Sequence, residues 1–184
     1  MIEDKQRWNE KYLEKPKQEN ISALVEKYIN HANVGQAIDL ACGTGRNTHF
    51  LALKGFEVDA VDISDVALKE VKKTSSINKI EADLDKYNIA PNKYDLIVNV
   101  NYLNRRLVSQ MKEALKQGGV IMFETFLIAH GDFKLPTMNL DYLLRKNELL
   151  HYFIGLDVIY YEERIDTNLK GERVKVASIV AKKA

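Results

Sequence analysis

Asp39, Gly43, Gly45 and Asp62 are the residues whose types and spacing could do chemistry in this chain. They lie in AIDLACGTGRNTHFLALKGFEVDAVDIS, residues 37–64. Glycines after an apolar run let a ligand approach the backbone, and the N–H groups of a helix start face it. An acid about 20 residues further on can accept ribose hydroxyls. The chemistry is nucleotide binding. Thr48 stands where a GxGxxG fingerprint has its third glycine, which counts against a nicotinamide or flavin. Asp39, at the end of the apolar run, would sit badly beside a pyrophosphate. It suits a ligand with a positive group, such as the amino and sulfonium groups of S-adenosylmethionine.

The elements that must position these residues follow from the pattern around them. Ala37 to Ala41 reads as a buried strand, Cys42 to Gly45 as a turn, Asn47 to Lys54 as a helix and Glu57 to Val61 as a second strand. Before this unit, residues 1–20 are polar apart from Trp8, Tyr12 and Leu13, either a helix draped on the core or a lid. Ile21 to His31 repeats apolar residues at helical spacing. After it, Ser64 caps a helix carrying Val66, Leu68 and Val71 inward, with Lys72 and Lys73 in its last turn. A third strand spans Lys79 to Ala82 and a fourth, apolar on both faces, Tyr94 to Val100. Asn99, Asn101, Tyr102 and Asn104 then fall at the carboxyl end of a central strand, where α/β sheets bind ligands. Leu107, Met111 and Leu115 mark a helix stopped by Gly118-Gly119, and Val120 to Phe126 is the fifth strand, with Glu124-Thr125 aimed at the crevice. A long loop, Ile128 to Asn139, holds His130. Asn139 to Phe153 returns to helix, in one piece or two, with Leu140, Leu143, Leu144, Leu149 and Leu150 on the core. Leu156 to Glu162 and Arg173 to Ala181 form an antiparallel hairpin. The expected fold is α/β: a single domain, residues 1–184, built as a three-layer sandwich with a seven-stranded, mostly parallel sheet.

DLACGTGRN followed by GFEVDAVDIS resembles the first two motifs of class I S-adenosylmethionine-dependent methyltransferases. The Arg-Asn after the glycines, NYLNRRL, and PTMNLDYLLRKNELLHYF with GLDVIYYEER are similar to the tellurite-resistance-type branch of small bacterial methyltransferases. One departure is Ala41, where many members of that family carry glycine; a methyl there should be tolerated while narrowing the room beside the cofactor. The resemblance implies S-adenosylmethionine as cofactor, held by Asp39, Ala41, Cys42, Gly43, Gly45, Arg46, Asn47, Asp62, Ile63, Asp83, Leu84 and Asn99. Asp83 matches the position that meets the adenine amino group, or is a plain loop acid. An acceptor pocket would gather Trp8, Tyr12, Tyr102, Asn104, Arg105, Thr125 and His130. In it Arg105 either orients an anionic acceptor or starts the next helix and pairs with a carboxylate. No catalytic residue is assigned.

Composition excludes several classes. Lys and Arg number 27 against 26 Asp and Glu, a net charge of +1 that advertises no nucleic-acid groove. The single cysteine, Cys42, is a packing residue rather than a nucleophile and leaves no internal disulfide, and four scattered histidines offer no metal site. No apolar run approaches the ~18 residues of a membrane span, so the expected address is the cytoplasm, as a monomer or homodimer. Three function classes stay open: methyl transfer to a small molecule or metalloid oxyanion, methyl transfer to protein or nucleic acid, and a non-catalytic or nicotinamide-binding module.

Overall fold

Alternating strand and helix patterns produce one twisted sheet covered on both faces. The computed structural model describes residues 2–14, 20–129, 131, 133–135, 139–168 and 171–184. Its strands are β1 (Gln36–Leu40), β2 (Glu57–Asp62), β3 (Ile77–Glu81), β4 (Tyr94–Val100), β5 (Leu115–Phe126), β6 (Asp157–Thr167) and β7 (Arg173–Lys182). They form a seven-stranded sheet in the order β3-β2-β1-β4-β5-β7-β6. The first five pair in parallel, while β7 pairs antiparallel with both β5 and β6. The expected hairpin is therefore present, with its second strand lodged inside the sheet.

The helices are α1 (Ile2–Glu14), α2 (Ala23–Tyr28), α3 (Arg46–Leu53), α4 (Asp65–Glu70), α5 (Leu107–Ala114) and α6 (Glu148–Phe153). Strand alternation divides the core. On one face Ile38, Leu40, Ile97, Ile121 and Phe123 pack with Leu107 and Met111 of α5 and Leu149 and Phe153 of α6. On the other, Ala37, Val98, Val120 and Met122 pack with Leu24 and Val25 of α2 and Leu51 of α3. These are the three expected layers.

Several local expectations fail for identifiable reasons. Gly118 and Gly119 do not stop α5; that helix ends at Ala114, and Leu115 turns straight into β5. The glycines form a bulge, because Tyr94 pairs with Leu115 while Leu96 pairs with Val120. Gly118 has φ +76°, and a Cβ on Gly119 would lie 2.9 Å from the carbonyl oxygens of Lys116 and Tyr94. Lys72 and Lys73 lie beyond α4, which Val71 ends in extended geometry. The stretch 139–153 is in two pieces, as expected, a short turn (Leu140–Tyr142) and α6, but Leu140 is 52% exposed rather than on the core.

Order in the sheet reverses at β1, whose sequence successors lie on one side and β4 on the other. The two strands stay paired to Leu40 and Asn99, but the chain leaving β1 runs to α3 on one face and the chain leaving β4 to α5 on the other. A crevice opens there.

Candidate functional site

The floor of the crevice is the chain between β1 and α3. Ala41, Gly43 and Gly45 all have positive φ, at 53°, 57° and 82°. Left-handed backbone costs a non-glycine residue about 1–2 kcal/mol, so Ala41 is strained in a way composition does not reveal. Asp62, at the end of β2, fixes the loop: its Oδ2 accepts from the Gly43 N–H at 2.8 Å and its Oδ1 from the Ser64 N–H at 2.9 Å. Ser64 in turn caps α4 by accepting from the Ala67 N–H. Asp39 is buried on β1, with the Thr48 hydroxyl donating to it at 2.7 Å.

Above this floor lies a cavity of about 490 Å³. Of the expected cofactor residues, Asp39, Ala41, Cys42, Gly43, Arg46, Asn47, Asp62, Ile63, Asp83 and Leu84 line it. Of the expected acceptor residues, Trp8, Tyr12, Tyr102 and Thr125 do. Trp8 and Tyr12 reach it from α1, which is pinned to the sheet edge. Lys5 sits 2.6 Å from Glu81 and 3.1 Å from Asp65, while Asn9 bonds both Asp65 and Ser64. Tyr12 covers the loop so closely that a Cβ on Gly43 would meet its hydroxyl at 2.7 Å.

Other expected residues do not line this cavity. Gly45 caps the start of α3, and a Cβ there would meet Val71 at 2.9 Å. Asn99 is fully buried beneath the cavity, its amide donating to the Tyr102 carbonyl at 2.7 Å. Asn104 spends its amide on Asp85 and Leu84, tying two loops together. Of the two readings of Arg105, the carboxylate pair is the one present: the residue does not line the cavity and forms a two-pronged pair with Glu148 at 2.7 and 3.1 Å. Glu124 faces the opposite side of the sheet from Thr125 and pairs with Arg164 at 2.8 Å, as strand alternation requires. His130 lies outside the described residues.

Sequence reasoning missed Asp4, Arg7, Lys11, Thr44, Asp85, Phe126 and Tyr142, which also line the cavity. Arg7 and Lys11 were legible in principle, since each stands within one helical turn of Trp8. Tyr142 carries no local signal.

Burial governs the electrostatics. It pushes the Asp39 carboxyl up to about 6, opposed by the Thr48 hydrogen bond and the Arg46 guanidinium. Asp62 is also raised by burial, against the backbone N–H groups of Ser64, Gly43 and Ile63. Burial and the neighbouring carboxylates push the Cys42 thiol well up, so it stays protonated and inert. Tyr102 is pushed up to about 12 by burial and remains a hydrogen-bond donor. Among the described residues no cluster of metal-ligating side chains occurs. What converges is two buried carboxylates, a glycine loop and an aromatic wall. That donor set fits ribose hydroxyls on Asp62 and a cationic group near Asp39. It supplies positioning, and among the described residues lining the cavity there is no serine or histidine to build a nucleophilic triad.

Comparison with known proteins agrees with this geometry. The family described as "Tellurite resistance protein TehB" matches residues 1–180. A Haemophilus influenzae relative, named as a probable S-adenosyl-L-methionine-dependent methyltransferase TehB, is 29% identical over 166 residues, covering 80% of this chain and 57% of the relative. A second strain's protein of the same name is 27% identical over 91% of this chain and 65% of its own length. The chain thus spans less than two thirds of these relatives. The crystal structure of TehB from Haemophilus influenzae superposes with a TM-score of 0.76 at 23% identity, over 98% of this chain and 67% of that one. A SAM-dependent methyltransferase from Methanosarcina mazei gives 0.68 at 14% identity, over 89% and 98%. Likeness at these identities shows the fold.

Proposed function

Because the chain belongs to the TehB tellurite resistance protein family, we propose that it transfers a methyl group from S-adenosylmethionine to a small molecule or metalloid oxyanion. The observation that carries this reading is the pair of buried carboxylates, Asp39 and Asp62, on the wall of one cavity at the strand-order reversal. A buried acid is costly unless something cationic or hydrogen-bonding meets it. Two of them beside a glycine loop suit a nucleoside with a positive tail.

S-adenosylmethionine supplies a methyl group on a sulfonium, already a good leaving group. The chain's own residues then need only bind, orient and exclude water. Asp62 accepts ribose hydroxyls, Asp39 offers negative charge, and Asp83 with Leu84 borders the base. Tyr12 and Trp8 close the cavity from α1, and aromatic faces there attract a cation. The acceptor half is bounded by Tyr102, Thr125, Phe126 and Tyr142. Arg105 has no part in contacting it.

Two measurements test the reading. Titration calorimetry should show S-adenosylhomocysteine binding and NAD not binding; the reverse order ends the proposal. A transfer assay with methyl-labelled cofactor against oxyanions, thiols, amines and carboxylates then identifies the acceptor. Labelling of protein or nucleic acid alone would replace the small-molecule reading.

A further inference from the structure

Tyr142 is 46% exposed, yet it lines the cavity. It ends the short turn Leu140–Tyr142, closed by bonds of 3.1–3.2 Å from Leu143 to Leu140 and from Tyr142 to Asn139. So slight a turn does not hold a large side chain in one place by itself. The carbonyls on either side of Tyr142 both accept from one guanidinium: Arg105 Nη1 donates to Asp141 O, and Nη2 donates to Leu143 O at 2.9 Å. The rest of the fork is anchored on Glu148, which also accepts from the Arg145 N–H and the Tyr152 hydroxyl. Arg105 follows the loop that puts Tyr102 on the same cavity, so it ties one side of the acceptor space to the other. Only a planar, multi-donor head can span two carbonyls and a carboxylate together; an ammonium is a point charge.

We propose that Tyr142 sets the size of acceptor this cavity admits, and that Arg105 is the positioning residue which holds it there. This rests on the methyl-transfer reading above.

The test compares kcat/KM for two probes, selenite and the bulkier benzeneseleninate, with labelled S-adenosylmethionine. Tyr142→Ala should raise the benzeneseleninate-to-selenite ratio about tenfold or more, the scale on which a few carbons of pocket space discriminate. Arg105→Lys should move the ratio the same way by roughly three- to tenfold. The double variant should go no further than Tyr142→Ala alone, since Arg105 acts through Tyr142. Throughout, the Kd for S-adenosylhomocysteine should stay within about twofold of the parent, because neither change touches the carboxylate floor. Multiplying effects, an unmoved ratio in either single variant, or lost S-adenosylhomocysteine affinity in Arg105→Lys would each overturn the proposal. If Arg105→Lys does not fold, Glu148→Gln loosens the same guanidinium and must give the same direction. Should the parent bind S-adenosylhomocysteine yet methylate neither probe, the oxyanion reading has failed by itself. Amide exchange at Leu143 and Leu144 then decides: rates unchanged by Arg105→Lys overturn the clamp, and faster exchange confined to that segment supports it.

Discussion

Replacing Asp62 with alanine separates the two tasks assigned to one carboxylate. The side chain is 4% exposed and accepts from two backbone N–H groups, Gly43 at 2.8 Å and Ser64 at 2.9 Å. Hydrogen bonds to a charged group contribute about 1.5–3 kcal/mol each, so the pair is worth about 3–6 kcal/mol gross. Against this stands the cost of burying the charge, which raises the Asp62 pKa and disappears with the side chain. The adjoining cavity also admits water to the freed N–H groups, which recovers part of each bond. The net loss is about 2–4 kcal/mol, or a Tm lower by roughly 4–16 °C in a domain of this size. Affinity for S-adenosylhomocysteine should fall by roughly 10- to 150-fold, the worth of one charge-assisted contact. Scanning calorimetry reads the first quantity and titration calorimetry, below the new Tm, the second. An unchanged Tm refutes the loop staple, and unchanged affinity in the folded variant removes Asp62 from the ligand set.

Asp39, raised to about 6 from an ordinary 3.8, favours the fold when protonated, so its contribution to stability is full below pH 3.8 and lost as pH rises through about 6. Its ionised form attracts a cation, so S-adenosylhomocysteine should bind more tightly at pH 7.5 than at pH 5, with proton release near pH 6 seen by calorimetry in two buffers. Asp39→Asn should flatten that profile; a flat profile in the parent contradicts the assignment. Ala41→Gly relieves a φ of 53° worth about 1–2 kcal/mol and costs about 0.5–1 kcal/mol of unfolded-chain entropy. The net is a Tm higher by about 0–6 °C, and a lower Tm would show the strain to be absent. Gly119→Ala places a methyl 2.9 Å from two carbonyl oxygens and should destabilise by about 1–3 kcal/mol, the usual cost of overpacking; urea denaturation with no shift in midpoint would refute it.

The strand–loop–helix–strand unit was legible because its residues act locally. Asp39, Gly43 and Asp62 are placed by alternation and turn chemistry within 24 residues of one another, and their chemistry can be read without knowing what lies across the sheet. Arg105 was not legible in the same way, because its partners Asp141, Leu143 and Glu148 are 36 to 43 residues away. Glu124 was misplaced by one step of alternation. Gly118-Gly119 resembles a helix stop locally, whereas the pairing of β4 with β5 decides that a bulge is needed there. Tyr142 reaches the cavity only through tertiary contacts, and no period marks it.

The position of β7 bears on how the protein is made. β7 is synthesised after β6 but sits between β6 and β5. Until residues 173–182 leave the ribosome, the segment VIMFETF of β5 has one open edge, apolar and carrying a single charge. Such an edge is a template for pairing with another nascent chain. The parallel half of the sheet cannot be sealed by folding early, however stable it becomes. Translation pauses or truncations before β7 should therefore send the chain to aggregates rather than to a trimmed but working core.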